Sequence, residues 1–104
     1  MDFNEYQQKC LNTWYGEQKL VRAFFGVAGE AGELSEKIKK HLRGDYGLEE
    51  LKNRSEKEIG DTLYYLAVTA HELGLDLGKI AENNIAKLAK RYEEGKIKGD
   101  GDNR

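Results

Sequence analysis

The chain has 104 residues, 35% of them charged, a net charge of −2 and no proline. That length is one domain, small enough to bury only roughly 65% of its unfolded surface, so self-association would add stability. The acidic balance offers no basic field for a nucleic-acid polymer, and no apolar run reaches membrane length. The N-terminus lacks the layout of a secretory signal and the lone Cys10 has no disulfide partner, so a cytoplasmic protein is expected.

Helix formers dominate, and the periodicity predicts four helices. The first runs from about Asn4 to Trp14, with Tyr6, Cys10, Leu11 and Trp14 on one face. The second runs from about Gln18 to Leu42, its apolar stripe being Leu20, Phe24, Val27, Ala31, Leu34, Ile38 and Leu42. A polar connection containing Gly44, Asp45 and Gly47 is expected from Arg43 to Arg54. Ser55-Glu56-Lys57-Glu58 has capping-box spacing and predicts the start of the third helix. That helix carries Ile59, Leu63, Leu66, Ala70 and Leu73 and stops at Gly74. Asp76 is the expected cap of a fourth helix reaching about Tyr92. The helical domain is thus 1–92, followed by a charged, Gly-rich tail over 93–104. The fold class is all-α, a four-helix bundle.

Two acidic pairs carry the chemistry: Glu30 with Glu33, and Glu58 with Asp61. Each has i, i+3 spacing, and on a wheel of about 100° per residue both pairs flank their apolar stripe on the same side. Antiparallel packing of the two stripes brings all four carboxylates to one edge of the seam. The expected connection would then have to run back along the bundle by roughly 10 Å, at about 1.5 Å per helical residue. Two carboxylates about 5 Å apart repel by roughly 3 kcal/mol at an effective dielectric of 20. Such a cluster requires protonation or a bound cation. Oxygen-only ligands favour Mg²⁺, with Mn²⁺ as the alternative. The blander assignments are a Glu33–Lys37 pair at i, i+4 and Glu58 serving only as the capping partner of Ser55. Gly26, Gly29 and Gly32 leave space for an approaching ion or phosphate, or for close helix packing.

On the fourth helix Asn84, Lys87 and Arg91 share one face beside the apolar stripe. Their donors suit a phosphate clamp, and equally a solvated face of long cationic side chains. Trp14, Tyr15, Phe24 and Phe25 are candidates for stacking on a base, Trp14 foremost, against a core role. Lys37, Lys40 and Tyr65 are lesser candidates for phosphate contacts. His41, His71 and Cys10 match no metal or triad pattern.

Gly29-Glu30-Ala31-Gly32-Glu33-Leu34 and Glu58-Ile59-Gly60-Asp61-Thr62-Leu63-Tyr64-Tyr65-Leu66 together resemble the MazG-like nucleotide pyrophosphohydrolases. The family signature is Glu-x-x-Glu, a variable gap, then Glu-x-x-Asp; the gap here is 24 residues. Asn84-Ile85-Ala86-Lys87-Leu88-Ala89-Lys90-Arg91 is similar to a later family element, and the ending Gly99–Arg104 is also similar. The resemblance implies an all-α fold whose four-helix core is completed in a homodimer or homotetramer. It also implies Mg²⁺-dependent hydrolysis of a nucleoside triphosphate to the monophosphate and pyrophosphate. Glu30, Glu33, Glu58 and Asp61 would be the metal ligands and catalytic acids, a metal-bound water attacking the α-phosphorus. Asn84, Lys87 and Arg91 would hold the triphosphate. Relatives acting on phosphoribosyl-ATP or dUTP, or a non-catalytic helical dimerisation module, are the alternatives.

Overall fold

The computed structural model describes residues 1–95. They form α1 (Phe3–Cys10), a short 3₁₀ turn (Leu11–Thr13), α2 (Lys19–Leu42), α3 (Leu48–Glu72) and α4 (Leu77–Glu93). The fold is all-α with four helices, as expected. Among the described residues no helix is long and apolar enough to cross a membrane. The ending at Gly99–Arg104 lies outside the described residues.

One expectation about α3 fails. It begins at Leu48, not Ser55, and the connection from α2 is only residues 43–47. Gly47 takes the N-cap position, and Glu49 and Glu50 occupy the first turn, where the helix dipole favours acids. Arg54 donates to Glu50 at 2.9 Å, an i, i+4 pair on the extra turns. Ser55-x-x-Glu58 is therefore helix interior that imitates a start. His41 Nδ1 meets the Tyr46 carbonyl at 2.9 Å, and the Tyr46 hydroxyl donates to the Lys37 carbonyl at 2.6 Å, pinning the turn to the last turns of α2.

The longer α3 also removes the offset expected between the acidic pairs. Leu42 lies nine positions after Glu33 and Leu48 ten before Glu58, so no chain has to run back along the bundle. A five-residue turn makes α2 and α3 an antiparallel hairpin with the acids level across the seam. Its far end closes with Gly74 at φ +73°, where Leu75 N–H donates to the Ala70 carbonyl at 2.8 Å and Gly74 N–H to His71 at 2.9 Å. That is a complete Schellman motif, and a side chain at Gly74 would be strained.

α1 lies against α3 and the start of α4. Its own first turn is closed by a capping box between Asp2 and Glu5. Gln7, buried among apolar groups, spends its whole amide on this junction. Nε2 donates to the Ala67 and Leu75 carbonyls at 3.2 and 3.0 Å, and Oε1 accepts the Leu77 N–H at 3.0 Å. Asn4 Oδ1 accepts the Gly78 N–H at 2.9 Å. Asp76 stands at the N-cap position of α4 but makes no side-chain cap. The first N–H groups of α4 are satisfied from α1 instead.

The buried core is small: Cys10, Trp14, Ala23, Ala67, Val68, Ala70 and Leu77. Much of the expected stripe of α2 stays exposed, including Leu20, Phe24, Ile38 and Leu42, as do Ile59 and Leu66 of α3 and Leu73 at its C-cap. Small residues allow close approach where the helices do meet. A Cβ on Gly26 would collide with the ring of Tyr65, so this glycine admits an aromatic ring and not an ion. Gly29 and Gly32 face open space within the subunit.

Gly26→Ala should therefore destabilise the fold by about 1–3 kcal/mol, the usual cost of overpacking. The measurement is the denaturant midpoint at unchanged m-value. A midpoint equal to that of the parent would show that Tyr65 yields without cost.

Candidate functional site

Glu30 from α2 and Glu58 and Asp61 from α3 each place a carboxylate oxygen within 4.8 Å of the others. Helical phase and the short turn explain this. Glu58 and Asp61 are one turn apart on α3, and the antiparallel hairpin sets them opposite Glu30. Glu30 and Glu58 are half-buried, whereas Asp61 is open to solvent. One oxygen of Glu58, Oε2, is fully buried and has no hydrogen-bond partner.

Glu33, the fourth expected acid, stands apart from these three. Its Oε2 lies 3.7 Å from Lys37 Nζ, the i, i+4 pair weighed in the sequence. The same ammonium lies 3.8 Å from Glu58 Oε1. The structure thus gathers three of the four acids, with a lysine beside them.

The cluster has an electrostatic cost. At an effective dielectric of 20 each pair of charges repels by roughly 3 kcal/mol, less where water reaches Asp61. The Glu30 carboxyl responds by moving from 4.5 up to about 7. The leading cause is a hydrogen bond with Glu58, followed by burial and the charges of Glu58, Asp61 and Glu33. Two ionised carboxylates both accept, so this bond exists only while one of them holds a proton.

A divalent cation would relieve the same strain, and the donor set suits one. The ligands are all oxygen, and a buried carboxylate oxygen is orphaned. Around octahedral Mg²⁺ neighbouring oxygens stand about 3 Å apart and opposite ones about 4.2 Å. The three carboxylate oxygens lie within 4.8 Å of one another, so they would draw together to share one ion.

α1 backs the acidic edge. Burial, then a hydrogen bond with Cys10 and the nearby charge of Asp61, push the Tyr6 phenol up to about 12. Tyr6 also lines an apolar cavity of about 370 Å³ with Met1, Asp2, Phe3 and Leu63. Sequence patterning placed Tyr6 on the core face of its helix but gave no signal that it approaches Asp61.

Trp14 is not available to a base within this subunit. It is 7% exposed, its Nε1 donates to Glu72 at 2.9 Å, and Tyr64 and Tyr65 meet it edge-on. Arg22 covers a ring face at 4.8 Å. Phe24 and Phe25, 65% and 67% exposed, are open. Asn84 and Lys87 line one cleft of about 410 Å³ with Leu75, Ile80 and Asn83. Arg91 follows one turn along α4. Among the described residues no hydrogen bond or ion pair joins these three to the acids.

An all-α hairpin presenting three carboxylates across its seam is a candidate metal-binding site. A family model for the MazG nucleotide pyrophosphohydrolase domain matches residues 19–95, and the chain belongs to that family. It is also 41% identical over 81 residues to the Gene 37 protein of Mycobacterium phage L5, covering 76% of this chain and 71% of that one. No solved structure matches the chain. The matched span contains all four acids and the whole of α4.

The Glu30 shift sets a pH dependence. A carboxyl raised in the folded state favours folding while protonated, so its contribution is complete below 4.5 and is lost as pH rises through about 7. The melting temperature of the cation-free protein should fall across that window relative to Glu30→Gln. Parallel pH profiles for the two proteins would refute the shared-proton account.

Proposed function

We propose that this protein hydrolyses nucleoside triphosphates, ribo- or deoxyribo-, to the monophosphate and pyrophosphate with Mg²⁺ as cofactor. The observation that carries this is the meeting of Glu30, Glu58 and Asp61 around a buried, unpartnered carboxylate oxygen. Membership of a family described by nucleotide pyrophosphohydrolysis supports the reaction class.

Glu30, Glu58 and Asp61 would hold the cation, with Glu33 one turn from Glu30 on the same helix as a fourth oxygen donor. A bound divalent ion supplies positive charge against the negative charge that grows on phosphoryl oxygens. One of the carboxylates that would hold it would also accept the proton of the water attacking the α-phosphorus. On α4, Asn84, Lys87 and Arg91 offer amide, ammonium and guanidinium donors to the phosphates.

The working unit is proposed to be a homodimer or homotetramer. The radius of gyration is 16.4 Å, whereas a compact chain of this length has about 13 Å. α2 leaves Val21, Phe24 and Phe25 exposed beside Ala28 and Gly32, a face fit to be covered by a second copy. Buried, unpaired Cys10 suits a reducing cytoplasm.

Incubation with Mg²⁺ and a panel of common NTPs and dNTPs should release pyrophosphate and the monophosphate. Glu58→Gln should lower kcat/KM by at least about 10²-fold while far-UV circular dichroism stays unchanged. Nucleotide binding without turnover in the parent would favour a non-catalytic module.

Phe25→Glu should shift the protein toward monomer in light scattering. Retention of the parent mass would remove this face of α2 from the interface.

A further inference from the structure

Lys37 is the cation already inside the acidic group. Its side chain is 19% exposed, and Nζ stands 3.7 Å from Glu33 and 3.8 Å from Glu58, whose own side chain is 15% exposed. Both separations exceed hydrogen-bond length, so the ammonium acts by charge and not through a directed bond. Lys39, Lys52, Arg54 and Lys79 pair with acids of their own helix and are far more exposed. Lys37 instead spans α2 and α3 at the level of the site.

Its position has two consequences. It offsets part of the repulsion among the carboxylates, and it occupies the space between Glu33 and Glu58, within salt-bridge range of both. A divalent ion taking oxygens from Glu58 and Glu33 would meet an ammonium only about 4 Å from those oxygens, where like charges repel strongly. The ammonium and the ion cannot share both carboxylates at full strength.

We propose that Lys37 is a resident counter-cation that a divalent ion must displace from Glu33 and Glu58. It stabilises the cation-free protein and at the same time weakens cation binding. This inference rests on the metal-binding reading of the acidic cluster, but concerns a residue outside the ligand set. Lys37 is thus a positioning residue, acting on the ligands and not on the substrate.

The test is Mn²⁺ binding by the full chain, measured by calorimetry or electron paramagnetic resonance, for the parent, Lys37→Met and Lys37→Arg. Lys37→Met keeps the apolar stem and loses the charge. It should bind Mn²⁺ on the order of tenfold more tightly. It should also melt lower than the parent without cation and gain a larger rise in melting temperature when Mn²⁺ is added. Lys37→Arg, which keeps the charge, should stay near the parent. Lys37→Gln gives the same readouts if the methionine variant does not fold. Equal or weaker Mn²⁺ binding by the neutral variants would overturn the inference and leave the metal site standing. No Mn²⁺ binding by the parent or the variants would overturn both.

Discussion

Repulsion between carboxylates across one helix seam is the constraint around which this molecule is arranged. Glu30, Glu58 and Asp61 are within a few ångströms of each other because α2 and α3 form an antiparallel hairpin of fixed register. The five-residue turn sets that register, and the Tyr46 hydroxyl and His41 ring tie the turn to α2. A cluster of this kind persists only if protons, an ammonium or a metal ion offsets it. Lys37 brings an ammonium to the cluster, and the same repulsion helps to raise the carboxyl of Glu30 toward its protonated form.

The helices and their acidic faces were legible because helical phase is a local property. Residues three apart share a face whatever the rest of the chain does, so Glu58 and Asp61 could be paired from spacing alone. The start of α3 was not legible in the same way. Ser55 followed by Glu58 imitates a cap, while the true start rests on Gly47 and on the charge pairs of its first two turns. Glu33 illustrates a different limit: it lies one turn from Glu30, yet in three dimensions it pairs with Lys37 and stands outside the group of three. For Trp14 the competing roles of core and base platform have the same sequence signal, and burial alone separates them.

Stability and function make opposite demands on the same two helices. A small domain gains most by burying its apolar stripes, yet here three of the seven buried core residues are alanine, and the largest side chain fully enclosed is a valine. Many larger apolar groups of α2 and α3, among them Leu20, Phe24, Phe25, Ile59 and Leu66, stay exposed. Tyr65, seated against Gly26, marks where the hairpin closes tightly, and the neighbouring acids mark where it does not. A subunit built this way keeps its polar seam reachable at the expense of its own compactness.

Gln7 has a consequence that extends well beyond its immediate surroundings. It and Asn4 hold α4 by its first turn, where Leu77 is that helix's buried residue. The seventeen-residue helix reaches about 25 Å from end to end, at about 1.5 Å per residue. A tilt of about 10° at the pivot would swing the far end by roughly 4 Å, more than a hydrogen-bond length. One glutamine amide on the first helix thereby sets the aim of Arg91, about four helical turns from Leu77 at roughly 3.6 residues per turn.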